Sequence, residues 1–121
     1  MAYAEVKPNQ RLADVYCEEV RQLGRESVAP DVKVRPPLGN TAMSNVTQVL
    51  PGIHPVVGVN AAGATVHQRA FAAVTAGPSG DRAVIDGTVM LVRTIVCLAE
   101  TPDERDRVLA AQQRRCGRVD V

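Results

Sequence analysis

The chain has 121 residues, 45% of them hydrophobic, with 14 basic against 13 acidic side chains and only Tyr3, Tyr16 and Phe71 as aromatics. That length fits one domain able to bury about two thirds of the surface its unfolded form exposes, and a formal charge of +1 gives no electrostatic case for nucleic acid or an anionic membrane as partner. Cys17, Cys97 and Cys116 are too widely spaced for a local metal or redox motif, no apolar run nears the roughly 20 residues of a membrane span, and the first residues lack a secretory signal, so a soluble chain in a reducing cytoplasm is expected.

Asn9 is placed to cap a helix whose apolar positions Leu12, Val15, Tyr16, Val20 and Leu23 recur at helical spacing, with Gly24 as its stop. The other face carries Arg11, Asp14, Glu18 and Arg25 and reads as solvated surface. Glu18-Glu19 is not read as a paired-carboxylate site, because successive helical residues diverge by about 100 degrees. Residues 28–38 are proline-rich with Val28, Val32 and Val34, which suits an edge strand entering a loop at Pro36-Pro37.

From Gly39 to Gly52 the chain reads as a loop, with Val46 to Leu50 as a strand or helical turn. Ile53 to Val59 is apolar and rich in β-branched residues between Gly52 and Asn60, which predicts a buried strand. Ala61-Ala62-Gly63-Ala64 is small enough for backbone to approach a ligand closely. A short helix beginning at Gly63 or Thr65 then runs through His67, Phe71 and Val74 and stops near Gly77-Pro78.

Ser79 reads as the cap of the strongest helix. Its residues Val84, Ile85, Val89, Met90, Leu91, Val92, Ile95, Val96 and Leu98 cover so much of the circumference that the helix is expected to be nearly buried. Thr101-Pro102-Asp103-Glu104 combines a threonine cap, a proline in the first turn and a glutamate three residues after the cap, a specific helix start. That last helix runs to about Arg115 and Gly117, with Arg114, Arg115 and Arg118 complementing its exposed carbonyls. The expected fold class is α/β, a small sheet of two to four short strands packed with about four helices, in one domain over residues 1–121. So small a sheet is poor cover for such apolar helices, and a missing partner is expected.

Two histidines 13 positions apart, His54 and His67, are by themselves too few for zinc, which takes four protein ligands in structural sites and about three in catalytic ones. Their surroundings say more. Gly39-Asn40-Thr41-Ala42-Met43-Ser44-Asn45-Val46-Thr47 is followed by Pro51-Gly52-Ile53-His54-Pro55, an apolar segment, a small-residue loop, and His67 just before a helix. In that order these words resemble the C-terminal part of the catalytic domain of zinc-dependent amidohydrolases, the group of aminoacylases, certain dipeptidases and aminobenzoyl-glutamate hydrolase called metallopeptidase family twenty. There the first loop reads approximately G-S-T-D-M-G-N-V-S. Pro8-Asn9 and the long helix after Asp81 fit the same pattern, so the resemblance covers most of the chain.

The resemblance implies that His67 is a ligand of one zinc, and that Asn45 and His54 line the substrate cleft. In such a site two cations activate a bridging water for attack on an amide carbonyl, while a glutamate moves the proton. Ala42 stands where the family has an aspartate and Ser44 where it has a glycine. The family's His-x-Asp segment, bridging aspartate and paired glutamates have no counterpart in these 121 residues, so no catalytic residue is assigned here.

Two readings follow. In the first the chain is the C-terminal portion of an amidohydrolase acting on N-acyl amino acids or dipeptide-like substrates, inactive alone, binding zinc and a small-molecule amide only when completed by an N-terminal half. In the second it is a non-catalytic remnant that serves as a homo-oligomer or binding module. An unrelated ligand-binding α/β domain is the remaining alternative.

Overall fold

A computed structural model of the chain describes residues 5–26 and 42–117. These form five helices: α1 (Gln10–Gln22), α2 (Met43–Val49), α3 (Arg69–Thr75), α4 (Pro78–Glu100) and α5 (Pro102–Cys116). The expected α/β class is therefore corrected to an all-helical one, since no strand occurs among the described residues. The reason lies in segment 53–59. Exposure alternates along it, with Pro55, Val57 and Val59 half-buried and Val56, Gly58 and Asn60 exposed, the period of an extended chain. None of its backbone N–H groups meets a backbone acceptor among the described residues. A strand is a property of a pair, and among the described residues this segment has no neighbour to pair with. The edge strand expected at 28–38 and Arg118 lie outside the described residues.

Helix α1 starts as the sequence implies. Asn9 Oδ1 accepts from the Leu12 N–H at 3.0 Å, and Gly24 leaves the helix at φ 71°. Asn9 also binds beyond its own helix. Its Nδ2 donates to the Val108 carbonyl of α5 at 3.1 Å, and its backbone N–H donates to the Gly52 carbonyl at 2.9 Å. One buried asparagine thus joins α1, α5 and the entry to segment 53–59. The stretch 43–49 is helical, with Ser44 and Thr47 fully buried. The Thr47 hydroxyl donates to the Ser44 carbonyl at 3.0 Å and accepts from the Lys7 N–H at 3.1 Å.

Helix α4 begins two residues earlier than a Ser79 cap implies. Gly77 precedes it and Pro78 opens it, while the Ser79 hydroxyl accepts from the Asn60 N–H at 2.8 Å. Helix α5 opens at Pro102 behind Thr101, although the threonine side chain makes no capping bond. The Arg115 guanidinium reaches past its own helix to the carbonyls of Lys7 at 2.8 Å and Thr47. It therefore closes the end of α2 rather than only complementing α5.

The hydrophobic core is small. Tyr16, Val20 and Met90 are buried at its centre, with Leu23, Ile53 and Val57 packed around them. The expectation that α4 is nearly buried is corrected, because only Gly80, Ala83, Asp86, Met90 and Thr94 are covered while Val84, Ile85, Val92 and Ile95 are more than half exposed. Its charged residues explain the orientation. Asp86 pairs with Arg25 at 2.8 Å and Arg93 pairs with Glu19 at 2.6 Å, both partners lying at α1. Arg11 of α1 makes a two-pronged contact with Glu104 of α5 at 2.8 and 2.5 Å. The α1 face read as solvated therefore holds the bundle together through Arg11, and Arg25 does the same just past its end.

Two outcomes follow from this packing. A Cβ on Gly80 would collide with the Thr75 backbone at the end of α3, so Gly80→Ala is expected to lower urea-unfolding stability by about 1–3 kcal/mol. The hydrogen bond from Arg25 holds the Asp86 carboxyl below its ordinary range, and that from Arg11 does the same for Glu104. The depressed value belongs to the folded state, so this stabilisation is present above the unfolded carboxylate pKa and is lost as pH falls through the folded one. Thermal midpoints measured across acid pH should drop below the ordinary carboxylate range, and drop less steeply in Asp86→Asn, which starts lower at neutral pH.

Candidate functional site

The residues singled out from the sequence stand on three successive parts of the chain. Asn45 lies exposed on α2, where its backbone N–H donates to the Ala42 carbonyl at 3.2 Å. His54 is half-buried in segment 53–59, with a buried Nδ1 that meets no hydrogen-bond partner. His67 is exposed, two residues ahead of α3. No hydrogen bond links the two imidazoles. Ser44, one of the two departures from the family's loop, is packed inside α2 rather than at an open cleft.

The approach to His67 is built from small residues that accept unusual backbone angles. The Ala64 N–H donates to the Ala61 carbonyl at 2.8 Å, closing a turn whose central residues Ala62 and Gly63 both have positive φ, 47° and 85°. Such a turn favours glycine and small residues. His67 itself sits at φ 66°, a left-handed conformation that costs a side-chain-bearing residue about 1–2 kcal/mol. Strain of this kind collects at ligand clamps and active sites. The chain spends it on an exposed imidazole that no other described group holds.

A metal centre is not completed by these residues. Among the described residues no three His, Cys, Asp or Glu side chains converge as a metal would need, and His67 offers one nitrogen donor where about three are required. Cys17 and Cys97 are half-buried and Cys116 is exposed, all as free thiols. A separate groove of about 250 Å³ is lined by Arg11, Asp14, Glu18, Glu19, Cys97 and Glu104 among others. Its buried Glu19 and half-buried Glu104 are occupied by Arg93 and Arg11, and none of Asn45, His54 or His67 lines it.

Part of the chain is similar to characterised proteins. The chain is 43% identical over 61 residues to the Xaa-Arg dipeptidase of Homo sapiens, and 42% identical over 53 residues to the Xaa-Arg dipeptidase of Mus musculus. Over just under half its length, the chain is peptidase-related. The matched stretches take up 49% and 44% of this chain but only 14% and 12% of those relatives. No family model matches the chain, and no solved structure does. No helix among the described residues is long and apolar enough to cross a membrane.

Replacing the strained histidine separates backbone from imidazole. His67→Gly should be at least as stable as the parent in thermal unfolding, because glycine adopts positive φ without steric cost. His67→Val should lose about 1 kcal/mol or more, since a β-branched residue tolerates that conformation worst.

Proposed function

We propose that this chain is the C-terminal portion of a metal-dependent peptidase or amidohydrolase that cleaves amide bonds of dipeptide-like or N-acyl amino acid substrates. The supporting observation is that the peptidase-related chain carries a strained, exposed histidine with no competing hydrogen bond. His67 supplies one neutral imidazole to a zinc centre whose other ligands and general base lie on the portion these 121 residues do not contain. The second ring nitrogen is then left to an acceptor that fixes the tautomer. The chemistry a metal pair supplies in such a site is activation of water and polarisation of the amide carbonyl. Asn45 and His54 are assigned to the substrate side, the unpartnered His54 Nδ1 being the group that a bound amide or carboxylate satisfies. The isolated chain is inactive.

A graft tests this reading. The matched stretch of the human Xaa-Arg dipeptidase is exchanged for the corresponding residues of this chain, and hydrolysis of Xaa-Arg dipeptides and bound zinc are measured. The chimera is expected to hydrolyse them, and His67→Ala within it to lower metal affinity or activity by about 10–100-fold. A folded, active chimera indifferent to His67→Ala would remove the assignment, as would hydrolysis by the isolated 121-residue chain.

A further inference from the structure

Between Val84 and Ala99 the charged residues of α4 are Asp86 and Arg93, and both are spent on ion pairs with Arg25 and Glu19. The opposite side carries Val84, Ile85, Val92, Ile95 and Val96, exposed by 44 to 70%. An uncharged outer face therefore runs for about four turns. A surface helix of a finished domain shows the reverse arrangement, and contiguous exposed apolar surface marks a place where another protein surface packs.

Segment 53–59 is open in a second way, independent of side chains. Among the described residues, Ile53, His54, Val56, Val57, Gly58 and Val59 each have a backbone N–H with no backbone acceptor. In an extended chain successive residues direct these groups to opposite sides, so both edges carry unpaired N–H groups, although the Gly58 carbonyl accepts from the Arg25 guanidinium at 3.2 Å. The two features adjoin. Val57 lies where a Cβ on Gly87 would touch it at 3.2 Å, and Gly87 belongs to the same stripe of α4 as Val84 and Leu91, three and four positions away. The surface is thus continuous from helix to segment.

An occupant must offer apolar side chains and backbone groups together. The dipeptidase relatives place 86–88% of their length outside the matched stretch, which is ample chain to provide such a surface.

We propose that the outer face of α4 and the open backbone of residues 53–59 form one docking surface for the portion of the peptidase that lies outside the matched stretch. That portion covers Val84, Ile85, Val92, Ile95 and Val96 and pairs the free backbone groups by edge-on addition. This chain contributes a helix face and an unpaired segment to the contact, not a sheet of its own. The proposal rests on the peptidase reading above and names the partner it requires.

The test co-expresses the 121-residue chain with a tagged human Xaa-Arg dipeptidase from which the matched stretch is deleted. Co-purification is expected, together with amide exchange slowed at least about tenfold within residues 53–59. Val92→Glu and Ile95→Glu should each abolish co-purification. Leu109→Glu, at an equally exposed apolar residue of α5, should not. Because these sites are exposed, all three variants should keep the parent's helical circular dichroism and thermal midpoint. Failure to co-purify, or co-purification indifferent to the α4 variants, overturns the proposal. So does a sedimenting dimer of the chain alone that Ile95→Glu dissociates, since it gives the face to a second copy. Docking is read without metal or activity. An α4-sensitive complex alongside an inert graft would keep the surface and discard the peptidase chemistry, whereas an active graft without α4-sensitive docking would do the opposite.

Discussion

Two ion pairs decide which way α4 faces, and most of the architecture follows from that choice. Asp86 and Arg93 stand seven residues apart, two turns along one side of the helix, and meet Arg25 and Glu19 at α1. Exposed ion pairs contribute little to stability, but the Asp86 and Glu19 side chains are only 13% and 11% exposed. Rotating α4 to bury its valines and isoleucines instead would strip both carboxylates of their partners in a partly desolvated contact. The outer face carries a cost of another kind, the exposure of apolar groups until something covers them. The core that results among the described residues is correspondingly modest, a cluster of Tyr16, Val20 and Met90 with Ala83 and Val108 also buried.

The remaining elements hang on this frame through polar contacts to backbone. Asn9 ties α1 to α5 and to Gly52, and Arg115 ties α5 to the end of α2. The buried Ser44-Thr47 pair fixes α2 against the residues that precede α1. Together these bonds set where residues 53–67 leave the bundle, and so where both histidines are presented. The histidines are thus held by a scaffold whose own side chains do not converge on them.

Which parts were legible in the sequence depended on whether their cause was local. Helix α1 could be read because Asn9, the apolar period and Gly24 act within one helix, and α5 because Pro102 and the first-turn acids do. Ala61–Ala64 was read only as small enough for a close backbone approach, and its turn with positive φ at Ala62 and Gly63 emerged from the structure. Ile53–Val59 has the composition of a buried strand, yet pairing is decided by what lies alongside. In α4 the hydrophobic count implied burial, but burial needs a neighbour on every side, and the two charges chose the side that has one. The roles of Arg11, Arg25 and Arg115 were hidden because each acts on a residue far away in sequence. For the site, the neighbourhood of His67 could be read, whereas its left-handed backbone carried no signal, histidine being an uncommon choice there.

His67 and the outer face of α4 are alike in carrying a cost that nothing among the described residues offsets. His67 holds a conformation costing about 1–2 kcal/mol and returns nothing for it within the described residues. The outer face of α4 likewise exposes side chains each worth about 1.5–3 kcal/mol on full burial. A chain whose strain and exposure are both uncompensated is stable only to the extent that its ion pairs and small core allow. Covering α4 and pairing residues 53–59 would constrain the segment that leads directly into the turn before His67. Docking would then stiffen the imidazole in the geometry the turn already imposes, so the cost of presenting a ligand is met before any ligand arrives. Assembly and site formation are on this account one equilibrium, with segment 53–67 as the element they share.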